Sequence, residues 1–294
     1  MITYKNISKS FKTNRALDNV SFTIEKGNIT AYIGPNGAGK TTTINILMGF
    51  LHPDSGQINH PWGSNTDIRS KIGCLLSLPT GEQKLSVYDN LVFYSKLYNI
   101  EKENVMRAVN KVGLEGMINH KLFTLSSGYR KRFEIALALL NDSELIIMDE
   151  PTANLDVDSK KEIIQLIQKL KTLNKTFFIT SHDLHFISEI ADRMIFLKNG
   201  QIYCESTRDE LLKQFDGKRF RIRGDISKIK KVSKFTQYFE KENNGLYLIY
   251  AADRKQSRLL LDEVKDHVEV IEKKELTLYD IYSIIFSEKE KLEA

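Results

Sequence analysis

The chemistry of this 294-residue chain starts at Gly34-Pro35-Asn36-Gly37-Ala38-Gly39-Lys40-Thr41-Thr42, which satisfies the phosphate-binding pattern G-x-x-x-x-G-K-[ST] without a mismatch. Glycines at 34, 37 and 39 remove side chains, so consecutive backbone N–H groups can close around phosphate oxygens. The helix that follows adds its positive N-terminal end. Lys40 is placed to reach β- and γ-phosphates, and the Thr41 hydroxyl to reach Mg²⁺. Asn36, Gly37, Ala38, Gly39, Lys40, Thr41 and Thr42 are therefore the candidate nucleotide contacts. The competing reading is a glycine-rich turn that binds nothing.

A second group lies downstream. Leu145-Ile146-Ile147-Met148-Asp149-Glu150 is four apolar residues followed by two acids. A buried parallel strand of that kind delivers carboxylates at the carboxyl edge of a sheet, where α/β proteins bind ligands. Asp149 fits a Mg²⁺ holder acting through water, and Glu150 a group that polarises an attacking water. Ser181-His182-Asp183 ends another strand, so His182 arrives on the same edge and reads as a γ-phosphate contact or as an ordinary strand-end cap. Phe11, in a polar stretch from Ser8 to Asp18, reads either as an adenine-stacking aromatic or as a loop anchor.

These groups need elements to hold them. Ile2–Ile7, Val20–Ile24 and Ile29–Ile33 look like an antiparallel layer feeding the loop, and Thr42–Met48 like the helix after it. His52–Gly56 reads as a turn and Lys71–Ser77 as a strand. Between residues 86 and 140 the periodicity is helical, with Leu91, Tyr94, Leu97 and Tyr98 on one face. Leu125-Ser126-Ser127-Gly128-Tyr129 ends this insertion and precedes an apolar helix, 133–140. A helix from 157 to 170, a strand from 176 to 180, a hairpin about Asn199-Gly200 and a helix from 207 to 215 complete a first domain, 1–215. The remainder, 216–294, opens with a basic cluster from Lys218 to Lys234. That cluster reads as a solvated face or as a contact for an anionic membrane leaflet. Strand-like 220–223, helix-like 226–239, strand-like 246–251, helix-like 256–265, strand-like 268–272 and a closing helix, 276–286, make it a small α+β module.

Bulk properties narrow the class. A net charge of +5 is mild, and the two cysteines, Cys74 and Cys204, form no C-x-x-C pair, so the pattern points to no metal framework and to the reducing cytosol. No secretory leader precedes the first strand, and the apolar runs fall short of the roughly 18 residues that span a bilayer. A role at a membrane would need another chain to supply the membrane-spanning part.

The order of P-loop, helical insertion, LSSGY, IIMDE, ANLD and SHD resembles the ATP-binding subunit of an ABC transporter, over about residues 1–215. The resemblance implies an α/β P-loop NTPase of ABC type, with an N-terminal antiparallel β layer, an inserted helical subdomain and a small C-terminal α+β domain. It implies ATP and Mg²⁺ as ligands and ATP hydrolysis as the activity. Phe11 matches the adenine-stacking aromatic, 34–42 the Walker A loop, Asp149 and Glu150 the Walker B pair, and His182 the switch histidine. Leu125–Tyr129 matches the signature loop, whose Ser126 and Gly128 complete the ATP site of a second subunit in a head-to-tail homodimer or heterodimer. By the same resemblance Ser77 stands where a Mg²⁺-touching glutamine usually sits, and is too short to act in the same way. Ser127 and Tyr129 replace a glycine and a glutamine of the signature, and Asn154 replaces the glycine of an SGLD-type loop.

The C-terminal Leu276-Thr277-Leu278-Tyr279-Asp280-Ile281-Tyr282 is similar to the end of ATPases from bacterial ABC-2-type exporters. The expectation is a cytoplasmic ATPase, peripheral on the inner membrane face, driving export of a drug, antibiotic or toxin peptide such as a lantibiotic or phenol-soluble modulin through a separate multi-spanning permease, without nucleic acid. The alternatives are a soluble ABC ATPase acting on ribosomes or DNA, which one P-loop and the lack of sustained heptads disfavour, and a regulatory module that binds ATP without turning it over.

Overall fold

The computed structural model describes residues 1–62, 68–75, 80–224, 238–241, 246–264 and 267–286. Ser77 and most of the helix-like stretch 226–239 lie outside them. The chain divides into two compact units, Met1–Glu205 and Ser206–Ala294.

The first unit is built on two sheets. β1 (Ile2–Phe11), β2 (Asn14–Ile24) and β4 (Ser55–Asn59) form an antiparallel layer in the order β2-β1-β4. The polar stretch 8–18 is thus a hairpin rather than a connection, because bulges at Tyr4/Ile7, Ile7/Lys9 and Lys9/Ser10 interrupt the alternation that marks a strand in sequence. β3 (Ile29–Ile33) belongs to the other sheet, contrary to its sequence assignment to the antiparallel layer. All five of its residues are buried, as a strand covered on both faces requires. That second sheet runs β5-β6-β7-β3-β8-β9, with β5 (Ile72–Leu75), β6 (Leu145–Asp149), β7 (Thr176–Ser181), β8 (Arg193–Lys198) and β9 (Gln201–Ser206). Asn199 and Gly200 both take positive φ, the condition for the tight turn between β8 and β9.

One apolar core joins the two sheets and helix α1 (Lys40–Leu47). Tyr4 stacks on Phe22 at 4.2 Å, and Phe22 lies 5.7 Å from Phe178, so aromatic packing runs from the antiparallel layer into the parallel sheet. Each such ring contributes about 2–3 kcal/mol through burial. The helical insertion consists of α2 (Val87–Leu97), α3 (Lys102–Val112) and α4 (Ser127–Leu139), and α4 packs on β5, α3 and α5 (Val157–Thr172). Gly73 of β5 lets α4 approach, since a Cβ there would stand 1.9 Å from Ala138 O. α6 (Leu184–Ile190) follows β7.

The second unit holds α7 (Arg208–Gln214), the helix read at 207–215, and a four-stranded antiparallel sheet in the order β11-β12-β10-β13. Its strands are β10 (Lys218–Gly224), β11 (Tyr238–Lys241), β12 (Leu246–Ala251) and β13 (Val268–Glu275). Tyr238 and Phe239, read as the end of a helix, are strand residues instead, paired with Tyr250 and Ile249. α8 (Arg254–Val264) packs its Leu260 against Phe220, Ile222 and Ile249 of the sheet, and α9 (Leu278–Phe286) closes the described chain.

Candidate ATP site

Three strand ends meet because β3 lies beside β7, and β7 beside β6. The register sets Ile33 opposite Ser181 and Asp149 opposite Thr180, so the glycine-rich loop after β3, the acids after β6 and the histidine after β7 leave the sheet at one edge. The loop itself fits phosphate. Gly39 sits at φ +108°, and a Cβ there would stand 2.5 Å from Ala16 O; at Gly34 a Cβ would stand 2.5 Å from Leu197 O. No side chain caps α1, whose first-turn N–H groups are left for an external acceptor.

Lys40 is buried, and its ammonium donates to Gly34 O at 2.8 Å and Pro35 O at 3.2 Å. Glu150 Oε1 lies 4.0 Å from it. Burial pulls the Lys40 pKa below its ordinary value, while the charges of Glu150 and Asp149 work the other way. The ammonium is thus a desolvated cation whose hydrogen bonds go to neutral carbonyls, with the Glu150 carboxylate 4.0 Å away, and phosphate oxygens would serve it better.

Glu150 occupies the left-handed region at φ +49°, uncommon for a non-glycine residue. This turn at the end of β6 directs its carboxylate toward the end of β7. There Glu150 Oε2 lies 2.9 Å from His182 Nδ1 and accepts from Ser181 Oγ and the His182 backbone N–H at 3.3 Å each. Asp149 is buried and accepts a short hydrogen bond from the Thr180 hydroxyl. Sequence reasoning passed over Thr180 and Ser181. The signal was their place just before His182, in register with the two acids.

For Mg²⁺, the described residues contain no group of three or more His, Cys, Asp or Glu side chains able to hold a metal. One buried carboxylate beside a phosphate loop and a threonine hydroxyl would instead suit a magnesium ion carried in by nucleotide, which needs only one or two protein ligands. Thr41 is exposed at the start of α1, where its hydroxyl is free to join that set. Ser77 lies outside the described residues.

Phe11 is 45% exposed at the end of β1, with Lys9 Nζ 5.8 Å from its ring centroid. It is an open aromatic face rather than a buried anchor. Ser126 caps α4 by accepting from Tyr129 N at 3.4 Å. A Cβ on Gly128 would stand 2.8 Å from Ser159 Oγ, so the signature loop abuts the first turn of α5. Asn154, between that helix and Glu150, takes φ +61°, a conformation asparagine shares with glycine, so it can replace the usual glycine without a new backbone path. Among the described residues, the hydrogen bonds of Ser126 stay within the start of α4 and none reaches the P-loop, Glu150 or His182.

Comparison with known proteins identifies the family. The family described as ABC transporter matches residues 17–153. The lantibiotic transport ATP-binding protein SrtF of Streptococcus pyogenes is 35% identical over 71% of this chain and 92% of its own length. The chain belongs to the ABC transporter ATP-binding proteins. It is also similar to the zinc import ATP-binding protein ZnuC of Rickettsia bellii, 36% identical over 74% of this chain and 90% of that protein. Among solved structures, a dimeric bacterial ABC transporter cassette superposes with a TM-score of 0.62 at 28% identity, covering 70% of this chain and 98% of that one. The fold is therefore the ABC ATPase cassette and the activity ATP hydrolysis by a transporter ATPase subunit.

Proposed function

We infer that this ABC ATPase binds MgATP between its own P-loop and the signature loop of a second ATPase chain, and that hydrolysis there drives export through a separate membrane permease. The convergence of Lys40, Glu150 and His182 at one sheet edge carries this reading. Glu150 orients and polarises the attacking water, and its contact with His182 Nδ1 leaves Nε2 for the γ-phosphate. Lys40 exchanges the carbonyls of Gly34 and Pro35 for β- and γ-phosphate oxygens. Asn36 to Thr42 cradle the phosphates and Phe11 stacks on the adenine. Mg²⁺, held by Thr41, by Asp149 through water and by Ser77, would neutralise charge building on the phosphates.

A second chain is supported by Ser126 and Gly128. They open a helix suited to an anion, yet among the described residues neither makes a hydrogen bond to its own P-loop. The solved dimeric cassette is in keeping with that arrangement. Residues 1–215, with a helical subdomain at 86–140, act as the ATP-binding domain, and 216–294 as an accessory domain. Among the described residues no helix is long and apolar enough to cross a membrane. In this reading the permease is a separate chain and this one is peripheral to it on the cytoplasmic face, as the resemblance to ABC-2-type exporters implies. Export rather than import is favoured by the C-terminal LTLYDIY segment and by the lantibiotic transport protein SrtF, and opposed by ZnuC.

The test is ATP turnover of wild type and Glu150→Gln, with and without the candidate permease reconstituted in lipid. Turnover that requires Glu150 and responds to the permease is the expected result. ATP binding with no turnover in any condition would replace this reading by that of a regulatory module. Accumulation of a lantibiotic in inside-out vesicles separates export from import.

A further inference from the structure

A cavity of about 220 Å³ lies within the C-terminal unit, lined by Lys218, Arg254, Ser257, Arg258, Leu261 and Lys273. Four of its six lining residues are cations. Their placement follows from the fold. Lys218 lies two residues before the buried Phe220 on β10, and Lys273 lies opposite Phe220 on β13, so both project from the face of the sheet that α8 covers. On α8, Arg254, Arg258 and Leu261 have the i, i+4, i+7 spacing of one helix stripe. Leu261 packs on the core as such a stripe should, whereas the two arginines continue it with charge.

This arrangement is unfavourable for the empty protein on two counts. Like charges are gathered around one cavity. Arginines also occupy the first turns of an 11-residue helix with no acid in its first turn, at the end where the macrodipole favours anions. Two cations are partly neutralised, Lys218 by Glu275 and Arg254 by Asp216, the latter at 3.0 Å. The nearby Asp253 is engaged in capping α8, where it accepts from Gln256 N at 2.7 Å. Among the described residues, neither Arg258 nor Lys273 has a carboxylate partner, and Lys273 instead lies 5.9 Å from the Phe220 ring centroid.

We propose that this cavity binds a phosphate-bearing anion, held by Arg258 and Lys273 with Lys218 and Arg254 around it; the Ser257 hydroxyl only lines it, since it donates to Asp253 O at 2.9 Å. Arginine forks are suited to phosphate oxygens, and the bound charge offsets the gathered cations; the backbone at the start of α8 is not needed for this, since Arg254 N and Gln256 N already donate to Asp216 and Asp253. The phosphate can belong to a soluble molecule or to a lipid headgroup. In either case the accessory unit has a ligand of its own, separate from the ATP site.

The experiment uses the full chain carrying Lys40→Met, so that the P-loop does not compete for the probes. Inorganic phosphate should raise its melting temperature, or phosphatidylglycerol-containing vesicles, but not pure phosphatidylcholine vesicles, should carry it in flotation. Adding Arg258→Gln and Lys273→Gln should weaken the response at least about tenfold, as loss of charge-assisted contacts implies. The added substitutions should leave a cooperative melt at the same or a higher temperature in probe-free buffer, because they remove repulsion. Arg258→Lys, which keeps the charge, should retain part of the response. A response to phosphate assigns a soluble ligand, and one to anionic vesicles alone assigns a headgroup. No response to either probe, or an equal response with and without Arg258 and Lys273, overturns the proposal.

Discussion

His182 Nδ1 lies 2.9 Å from Glu150 Oε2, although the two residues are 32 positions apart and reach each other only because β6 and β7 are neighbours in the sheet. The contact fixes the imidazole by one nitrogen and leaves the other toward solvent, with the His182 side chain 65% exposed. Glu150 thereby has two tasks: holding the histidine and addressing a water. Glu150→Gln keeps an acceptor for His182 but cannot take a proton. Hydrolysis should fall by about 10²- to 10⁴-fold, the range for loss of a general base. Binding of a fluorescent ATP analogue should be retained. Phosphate release at the wild-type rate would remove Glu150 from the role.

Lys40 makes the site sensitive to alkaline pH. Burial holds its folded pKa below the ordinary 10.5, so between that value and 10.5 the unfolded chain carries more protons. Stability of the nucleotide-free protein should therefore rise with pH across that window. Affinity for ATP should do the opposite, falling as pH climbs through the nucleotide-free pKa, because phosphate needs the charged ammonium. Urea melts and nucleotide titrations on wild type and Lys40→Met read both slopes, and the variant should flatten them.

Asp183 anchors the turn that carries His182. It caps α6, accepting from Phe186 N at 3.1 Å and from Lys160 Nζ at 2.6 Å. Burial alone would raise its pKa. The Lys160 and Phe186 hydrogen bonds, with the charges of Lys160 and His185, outweigh it and bring the value below the ordinary 3.8. This contribution to stability is present above 3.8 and is lost as pH falls through the lowered folded value. Asp183→Ala should cost about 1–2 kcal/mol through the lost cap. Its acid unfolding midpoint should be less steep than that of wild type, and its turnover should drop as His182 loses its support.

Much of this site is legible in the sequence because its parts are local. The P-loop is nine consecutive residues, and the acids and the histidine each end a short apolar strand. What the sequence hid was non-local. Thr180 and Ser181 are ordinary strand residues until register sets them beside Asp149 and Glu150. The first two residues of β4, Ser55 and Gly56, read as the end of a turn, because the strand is exposed or half-buried and its pairing is supplied by β1. Ile29–Ile33 has the buried run of a central strand, but nothing local says which sheet it joins. The strand at Tyr238–Lys241 continues a helix-like pattern and is decided by its partner β12.

Gly128 and Ser159 offer a steric test of how the signature loop is seated. A Cβ on Gly128 would meet Ser159 Oγ at 2.8 Å and Cβ at 3.3 Å. Gly128→Ala should cost about 1–3 kcal/mol as overpacking. Ser159→Gly alone should cost about 0.5 kcal/mol through helix propensity, with a further loss of the hydrogen bond that the Ser159 hydroxyl donates to Asp156. Combined, the two changes should cost less than their sum, since the glycine removes the atoms that clash. Additive losses in a urea double-mutant cycle would place the strain elsewhere.

The head-to-tail arrangement predicts complementation between two dead chains. Lys40→Ala disables a P-loop, and Ser126→Glu sets a carboxylate where a γ-phosphate would approach, while an acid at the start of α4 suits the helix dipole and spares the monomer. Neither variant alone should turn over ATP, since every site in its dimer contains one defect. In a mixed dimer both defects fall in the same composite site and the other site is intact. Random mixing should thus restore about a quarter of wild-type turnover, from one good site in half of the dimers. If each site were completed within its own chain, no mixture of the two could contain an intact site, and activity would stay at zero at every mixing ratio.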